Sequence, residues 1–356
     1  MPSVEDVVKS IKKLENRRKE VGADLKELRE ENLESEVVVE PDFVVETRPA
    51  DLDHDSIAGV DGGLIKKEFH GVDVVLTRAV SALFNYRDGR LDSSEYLPGK
   101  SPEPEVTHLE SPLDRRQFNL STSLLRLKKE VKTALEAVKN DVDLVLMDGS
   151  IVPQYTDRPT KGSEAREMYD QLIEMYQRLF QEALDRNVLL AGVIEDSRGT
   201  SMSELLAEQG FIDRESADIL NRSQDTNILH YVLEKGERTC VMKYTKEYEN
   251  HHTLNDIGED SKKIHNFYLR TVENGSPIRI DFLNNGEISD TADRIASMIM
   301  PICSYSSMYG IPSVIVEADQ RAKLSEQDIE RFSSRLKSVV GPLAGVQELR
   351  RETRPF

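Results

Sequence analysis

The chain opens on a helical pattern. Apolar residues fall at Val4, Val7, Ile11, Leu14, Val21, Leu25 and Leu28. Steps of three, four and seven form a heptad seam that Arg18 interrupts. One long helix is predicted over residues 3–36, with a densely charged outer face. It lies either on its own domain or as an arm against a partner or a second copy. Val37–Val39 then leads into an acidic stretch that reads as a hinge. From Ser56 the texture changes. Ile57-Ala58-Gly59-Val60 reads as a short buried strand ending in Asp61-Gly62-Gly63, Val72–Leu83 as a second strand, and Phe84–Gly89 as a turn. Residues 92–112, with several prolines and few apolar positions, predict a loop.

Arg115–Lys139 carries Leu120, Leu124, Leu127, Val131, Leu135 and Val138 on one helical face. Val142–Met147 predicts a buried strand ending in Asp148-Gly149-Ser150, Glu164–Arg186 a helix, and Val188–Ile194 a strand ending in Glu195-Asp196-Ser197-Arg198. Residues 201–235 read as broken helix. Residues 239–283 carry strand patterning with a polar interruption near Asn250–Ser261. Thr291–Tyr309 predicts a helix, Ile311–Val316 a last strand followed by Glu317-Ala318-Asp319, and residues 325–339 a final helix. Strands alternating with helices predict an α/β fold with a mixed sheet. Its first two strands are antiparallel neighbours and its later, helix-separated strands are parallel.

Composition narrows the function. The 356 residues hold 47 Lys+Arg against 65 Asp+Glu, a net charge of −18. Such a chain is repelled by polyphosphate at long range, which argues against a generic nucleic-acid coat. It leaves room for a local basic groove, or for carboxylates gathered around divalent cations. No run approaches the ~20 apolar residues of a membrane span, and the N-terminus lacks a secretory core. The expectation is a cytoplasmic protein with no membrane partner. Two cysteines, Cys240 and Cys303, supply neither a disulfide framework nor a Cys-rich zinc site. The histidines lack metal-ligand spacing. Only His251 and His252 adjoin, and on a strand they would point to opposite faces.

Three acidic residues share one context: Asp61, Asp148 and Asp319 each lie at or just beyond a predicted buried strand. Sites in open α/β sheets form outside the carboxyl ends of strands. Carboxylates converging there repel, and a hard divalent cation, Mg²⁺ or Mn²⁺, compensates. Either Asp-Gly alone is an ordinary turn dipeptide. Two of them, each after a buried strand, point to a site. Glu130, on the helix before Asp148, is a fourth candidate. Arg126 four positions earlier offers it a surface ion pair, and Glu136 is an equivalent rival. Arg115, Arg116, Arg126, Lys128, Lys129 and Lys132 form a basic cluster, and residues 321–356 a basic tail. Either could contact phosphates.

Ile57-Ala58-Gly59-Val60-Asp61-Gly62-Gly63 resembles the first motif of the NurA nuclease family, and Leu144-Val145-Leu146-Met147-Asp148-Gly149-Ser150 its second. Gly192–Arg198 resembles the strand-end motif that follows and Gly310–Asp319 the C-terminal one. Order and spacing agree over residues 56–325. The resemblance implies an RNase H-like mixed sheet flanked by helices, preceded by an N-terminal helical arm (1–40). The nuclease domain (56–325) carries insertions at 84–112 and 200–283. A C-terminal helix and basic tail (326–356) follow. It implies Mn²⁺-dependent DNA cleavage, of 5′–3′ exonuclease and endonuclease type, by a homodimer. Its partner would be the hexameric HerA helicase-translocase, acting in archaeal DNA end resection. Asp61 and Asp148 match the family's metal-binding aspartates, Glu130 takes the place of its helix glutamate, and Asp319 stands where some members have His. Two metal ions ~4 Å apart, with Asp61 as the bridging ligand, would activate a water and stabilise the departing 3′ oxygen. The chain departs from the pattern at Gly63, where Ser is common, and at Glu195, where many relatives show Lys. Two other readings compete. An actin- or hexokinase-like ATPase lacks support, because no Gly-x-Gly cluster follows in the C-terminal half. A non-catalytic adaptor of a DNA translocase would suit the heptad arm but would not require the carboxylates.

Overall fold

The computed structural model describes residues 3–110, 114–341 and 347. Helix α1 (Val4–Glu27) precedes strands β1 (Val44–Glu46), β2 (Ser56–Glu68), β3 (Val72–Arg87), β4 (Arg90–Leu97) and β5 (Glu105–Glu110). Helix α2 (Arg115–Val138) leads into β6 (Leu144–Asp148), α3 (Arg166–Arg186) and β7 (Leu189–Ile194). Three short helices follow: α4 (Ser201–Glu208), α5 (Arg214–Leu220) and α6 (Asp225–Val232). Next come β8 (Glu237–Thr239), β9 (Met242–Lys243), α7 (His252–Ile257), β10 (Ile264–Leu269) and β11 (Ile278–Leu283). Helices α8 (Ile288–Ile302), α9 (Ser313–Ala322) and α10 (Glu326–Val340) complete the order.

One sheet runs β1-β8-β10-β11-β7-β6-β2-β3-β4, with β5 on β3 and β9 on β10. The β2–β3 and β3–β4 pairs are antiparallel, β2–β6 and β6–β7 are parallel, and β11 returns antiparallel to β7. The α/β fold with a mixed sheet flanked by helices that the sequence leads one to expect is the one observed. Side chains alternate across it. Ala58, Val60, Val145 and Met147 face the core under α2 and α3. Ile57, Leu144, Leu146 and Leu189 face a second core under α8 and α9. A third cluster joins Val21 and Leu25 of α1 to α4, α5 and α6.

Several expectations are corrected. Helix α1 stops at Glu27, short of residue 36. Only its second half packs: Val4 is 80% exposed and Ile11 60%, whereas Leu25 is fully buried. The expected short strand at 57–60 is part of one long hairpin, β2 and β3, paired from Ser56 to Glu68, and of the turn expected at 84–89 only Asp88-Gly89 turns, between β3 and β4. The loop expected at 92–112 holds β4 and β5, whose polar residues sit on the sheet's outer edge. The expected helix over 291–309 ends at Ile302. The strand expected at Ile311–Val316 is instead the start of α9, which begins after Pro312. Its β-branched residues suit a strand, but Val314 and Ile315 are buried on a helix against the sheet. Tertiary packing overrides propensity here. Residues 342–346 and 348–356 of the basic tail lie outside the described residues.

Helix α9 lies close against β2. A Cβ on Gly59 would stand 2.4 Å from the Val314 carbonyl carbon. Backbone cannot yield as a side-chain tip does, so Gly59→Ala is expected to lower stability by about 1–3 kcal/mol, read as an earlier urea midpoint.

Candidate active site

The site is built on β2. Asp61 sits in the middle of that strand, not at its end, and is 6% exposed. Its neighbours Gly59 and Gly63 share its face. A Cβ on Gly63 would stand 2.3 Å from the Ala322 carbonyl oxygen. The glycines therefore admit α9 rather than a turn, and a serine at 63 has no room. Asp319 is carried on α9 between the Val314 and Ala322 contacts, so it reaches the sheet from above rather than from a strand end.

Gly62 points the other way. A Cβ there would stand 2.5 Å from Glu130 Oε1. The carboxyl of Glu130, 4% exposed, thus fills the space that a side chain at position 62 would take. It is no solvated surface residue, although Arg126 does donate to it at 2.7 Å.

Asp148 ends β6. Val60 pairs with Met147, so Asp61 and Asp148 are neighbours in the same parallel register. Asp148 in turn pairs with Val193, which brings Glu195 alongside. Asp148, Glu195, Asp319 and Tyr309 line a cavity of about 420 Å³. Glu195 was not among the sequence candidates for the site. The signal was present: it ends a buried strand just as Asp148 does. The turn after Asp148 is anchored from behind. Gly149 has φ +88°, Ser150 Oγ donates to Asp281 at 2.6 Å, and Arg279 Nε donates to Asp281 at 2.7 Å.

Electrostatics follow from this packing. Burial pushes the Asp61 carboxyl up to about 7, and the charges of Asp148 and Asp319 add to the effect. Burial pushes Glu130 up to about 8; Arg126 opposes, and Asp61 and Asp148 reinforce. Burial and then Glu195 raise Asp148, while burial and then Asp196 raise Glu195. Arg126 is the cation that offsets Asp61, Glu130 and Asp148. The donor set is oxygen only and under-compensated, which fits a hard divalent cation. Among the described residues, no three histidine, cysteine or carboxylate side chains are already close enough to hold a metal ion. Glu130 is engaged by Arg126 instead.

The histidines stay out of the site. His251 caps α7, its Nδ1 accepting from the Leu254 amide, and His265 is buried on β10. The basic cluster is dispersed: Lys129 pairs with Glu105 and Lys128 donates to Gln171.

Raised carboxyl pKa values have a defined stability sign. Between the ordinary and raised values the folded chain holds protons that the unfolded chain releases, so stability falls as pH rises through that window. In EDTA, Asp61→Asn is expected to raise Tm at about pH 8 by on the order of 2 °C, with a smaller gain at about pH 5. Adding Mn²⁺ should stabilise the wild type more than the variant. Calorimetry at both pH values checks this.

The NurA domain model matches residues 55–324. The fold is similar to the crystal structure of the NurA nuclease from Sulfolobus solfataricus, with a TM-score of 0.55 at 16% identity, covering 84% of this chain and 87% of that one. It is also similar to a crystal structure of NurA bound to dAMP and manganese, with a TM-score of 0.50 at 10% identity, covering 84% and 90% of the two chains. No curated protein matches the sequence. With the family model spanning most of its length, the chain belongs to the NurA family.

Proposed function

We propose that this protein is a metal-dependent DNA nuclease that hydrolyses phosphodiester bonds. The observation that carries the reading is the gathering of Asp61, Asp148, Glu195 and Asp319 around one face of the sheet, with Glu130 reaching in past Gly62. A relative solved with dAMP and manganese supports both the ligand class and the metal. Asp61, Glu130, Asp148 and Asp319 would hold two Mn²⁺ ions, or Mg²⁺, with Glu195 adding a fifth carboxylate. When bound, the ions supply an acidified water and neutralise phosphate charge.

The chain's own groups do the rest. Asp61 is held by its pairing with Val80 on β3 and follows directly on the Val60–Met147 pair, which sets its distance from Asp148. Arg126 stands beside Glu130, where its guanidinium can meet a phosphate oxygen. Helix α9 covers β2 and keeps bulk water from the Asp61 side. The attacking water oxygen ends on phosphorus, the bond to the 3′ oxygen breaks, and no protein adduct forms.

The same reading extends to the family's setting: 5′–3′ exonuclease and endonuclease action in double-strand-break end resection, with a HerA-type hexameric helicase, as a homodimer in the cytoplasm. The exposed apolar row of α1 offers a face to a second copy or partner. Among the described residues, no helix is long and apolar enough to cross a membrane.

End-labelled duplex and single-stranded DNA, incubated with Mn²⁺, Mg²⁺ or EDTA, tests the reading. Cutting should require metal and should fall on the order of 10³-fold or more in Asp61→Ala and Asp148→Ala. A folded wild type that cuts with neither metal, alone or with the helicase, would favour the adaptor.

A further inference from the structure

An open groove of about 920 Å³ lies away from the carboxylates, between the first turns of α2 and the segment 154–163. Both walls begin in the catalytic centre. Helix α2 carries Glu130 in its second half. Arg126, Ser123, Asn119 and Arg116 precede Glu130 at steps of four, three, four and three, so all five share one helical face. That polar stripe runs from the carboxylates into the groove. The other wall starts directly after Asp148-Gly149-Ser150 and reaches Tyr155. It is fastened to α2 where Ser123 donates to Asp157 at 2.7 Å. A third element follows the same course: β2 carries Asp61 and, five residues on, Lys66. The Lys66 ammonium donates to Asn119 at 2.8 Å and lies 4.8 Å from the Phe118 ring centroid.

The groove gathers the chemistry of a nucleic-acid strand in a chain whose net charge is −18. Arg115 and Arg116 line it and are exposed, and their side chains make no hydrogen bond or ion pair among the described residues. Its two aspartates are already committed. Asp114 caps α2 at the Gln117 amide, and Asp157 accepts from Ser123 and from the Gln154 amide. Arg158 is paired with Asp256. Tyr155, 72% exposed, stands at the mouth with its ring 6.1 Å from that of His252. An aromatic that exposed beside uncommitted guanidiniums fits base stacking flanked by phosphate contacts.

We propose that this groove is a binding site for the part of a single DNA strand that lies outside the scissile phosphate. Arg115, Arg116 and Lys66 contact the backbone and Tyr155 stacks a base. Fourteen residues of helix separate Glu130 from Arg116, about 21 Å at the helical rise. At the ~3.4 Å rise per stacked nucleotide, that is about six nucleotides from the carboxylates. The site rests on the nuclease reading for its substrate, but its test does not require cleavage.

Labelled oligo-dT strands of 3, 6, 9 and 12 nucleotides are titrated with protein in EDTA at two salt concentrations, and anisotropy is read. Wild-type affinity is expected to climb between the 3-mer and the 9-mer and then level. Arg115→Ala with Arg116→Ala should weaken the 12-mer about tenfold at low salt and make the salt slope shallower by about 1.4. Tyr155→Ala should weaken it about tenfold, and the paired Lys substitutions should restore most of the arginine loss. All three residues are exposed, and an unchanged Tm will show that the variants fold. Wild-type affinity for every length in all variants overturns the proposal. So does tighter binding of a 12-base-pair duplex that Tyr155→Ala leaves unchanged. A wild type that shows the length step but cuts no DNA retains the groove and refutes the nuclease. Cleavage with no length step does the reverse.

Discussion

Repulsion among carboxylates gathered at the middle of one sheet is the constraint that the surrounding structure answers. Asp61 and Asp148 come from neighbouring strands and Glu195 follows directly on the next one, so strand pairing sets their spacing. Desolvation makes the repulsion worse, because a charge taken from water has fewer dipoles to screen it. The fold holds them together by backbone approach rather than by counter-charge. Gly59 and Gly63 let a helix lie on β2, Gly62 lets Glu130 lie on the opposite face, and Arg126 is the cation at hand. The carboxylates thereby stand close together with little counter-charge, an arrangement that would suit a bound divalent cation.

The second half of the sheet works as a rigid support for that incomplete centre. Asp281 on β11 is buried, paired with Arg279, and receives the Ser150 hydroxyl that follows Asp148. Farther out, Arg238 is 1% exposed and is satisfied by Glu40 and Asp293. Removing one partner of such a buried pair leaves an uncompensated charge, so these pairs resist piecemeal change. The turn that aims Asp148 is thus tied into strands laid down more than a hundred residues later in the chain.

Much of this was legible in the sequence, and the failures have physical causes. Periodicity located α2, α3, β6 and β7 because each has a single buried face or is buried throughout. It placed Asp148 at a strand end for the same reason. It misread Asp61, because Asp-Gly-Gly is written identically for a turn and for a strand approached by a helix. Only the three-dimensional neighbours of Gly59 and Gly63 distinguish the two. It misread Ile311–Val316, because a buried amphipathic helix start rich in β-branched residues has the same local pattern as a strand. Glu195 obeys the same strand-end rule as Asp148, but its local sequence carries no Asp-Gly turn to mark it. The pairing of Lys66 with Asn119 and of Ser123 with Asp157 left no mark in either local pattern. Such contacts depend on the packing angle of α2 on the sheet.

Helix α9 has a consequence for the order of events in the cell. A chain emerges from the ribosome N-terminus first and its segments begin to fold as they appear. Asp61, Glu130 and Asp148 are available about 170 residues before Asp319 and the helix that covers β2. Until α9 emerges, the strand bearing Asp61 has an open face, and Asp61 and Asp148 stand without Asp319. A chain cut short before α9 would therefore lack both the cover on β2 and the Asp319 carboxylate.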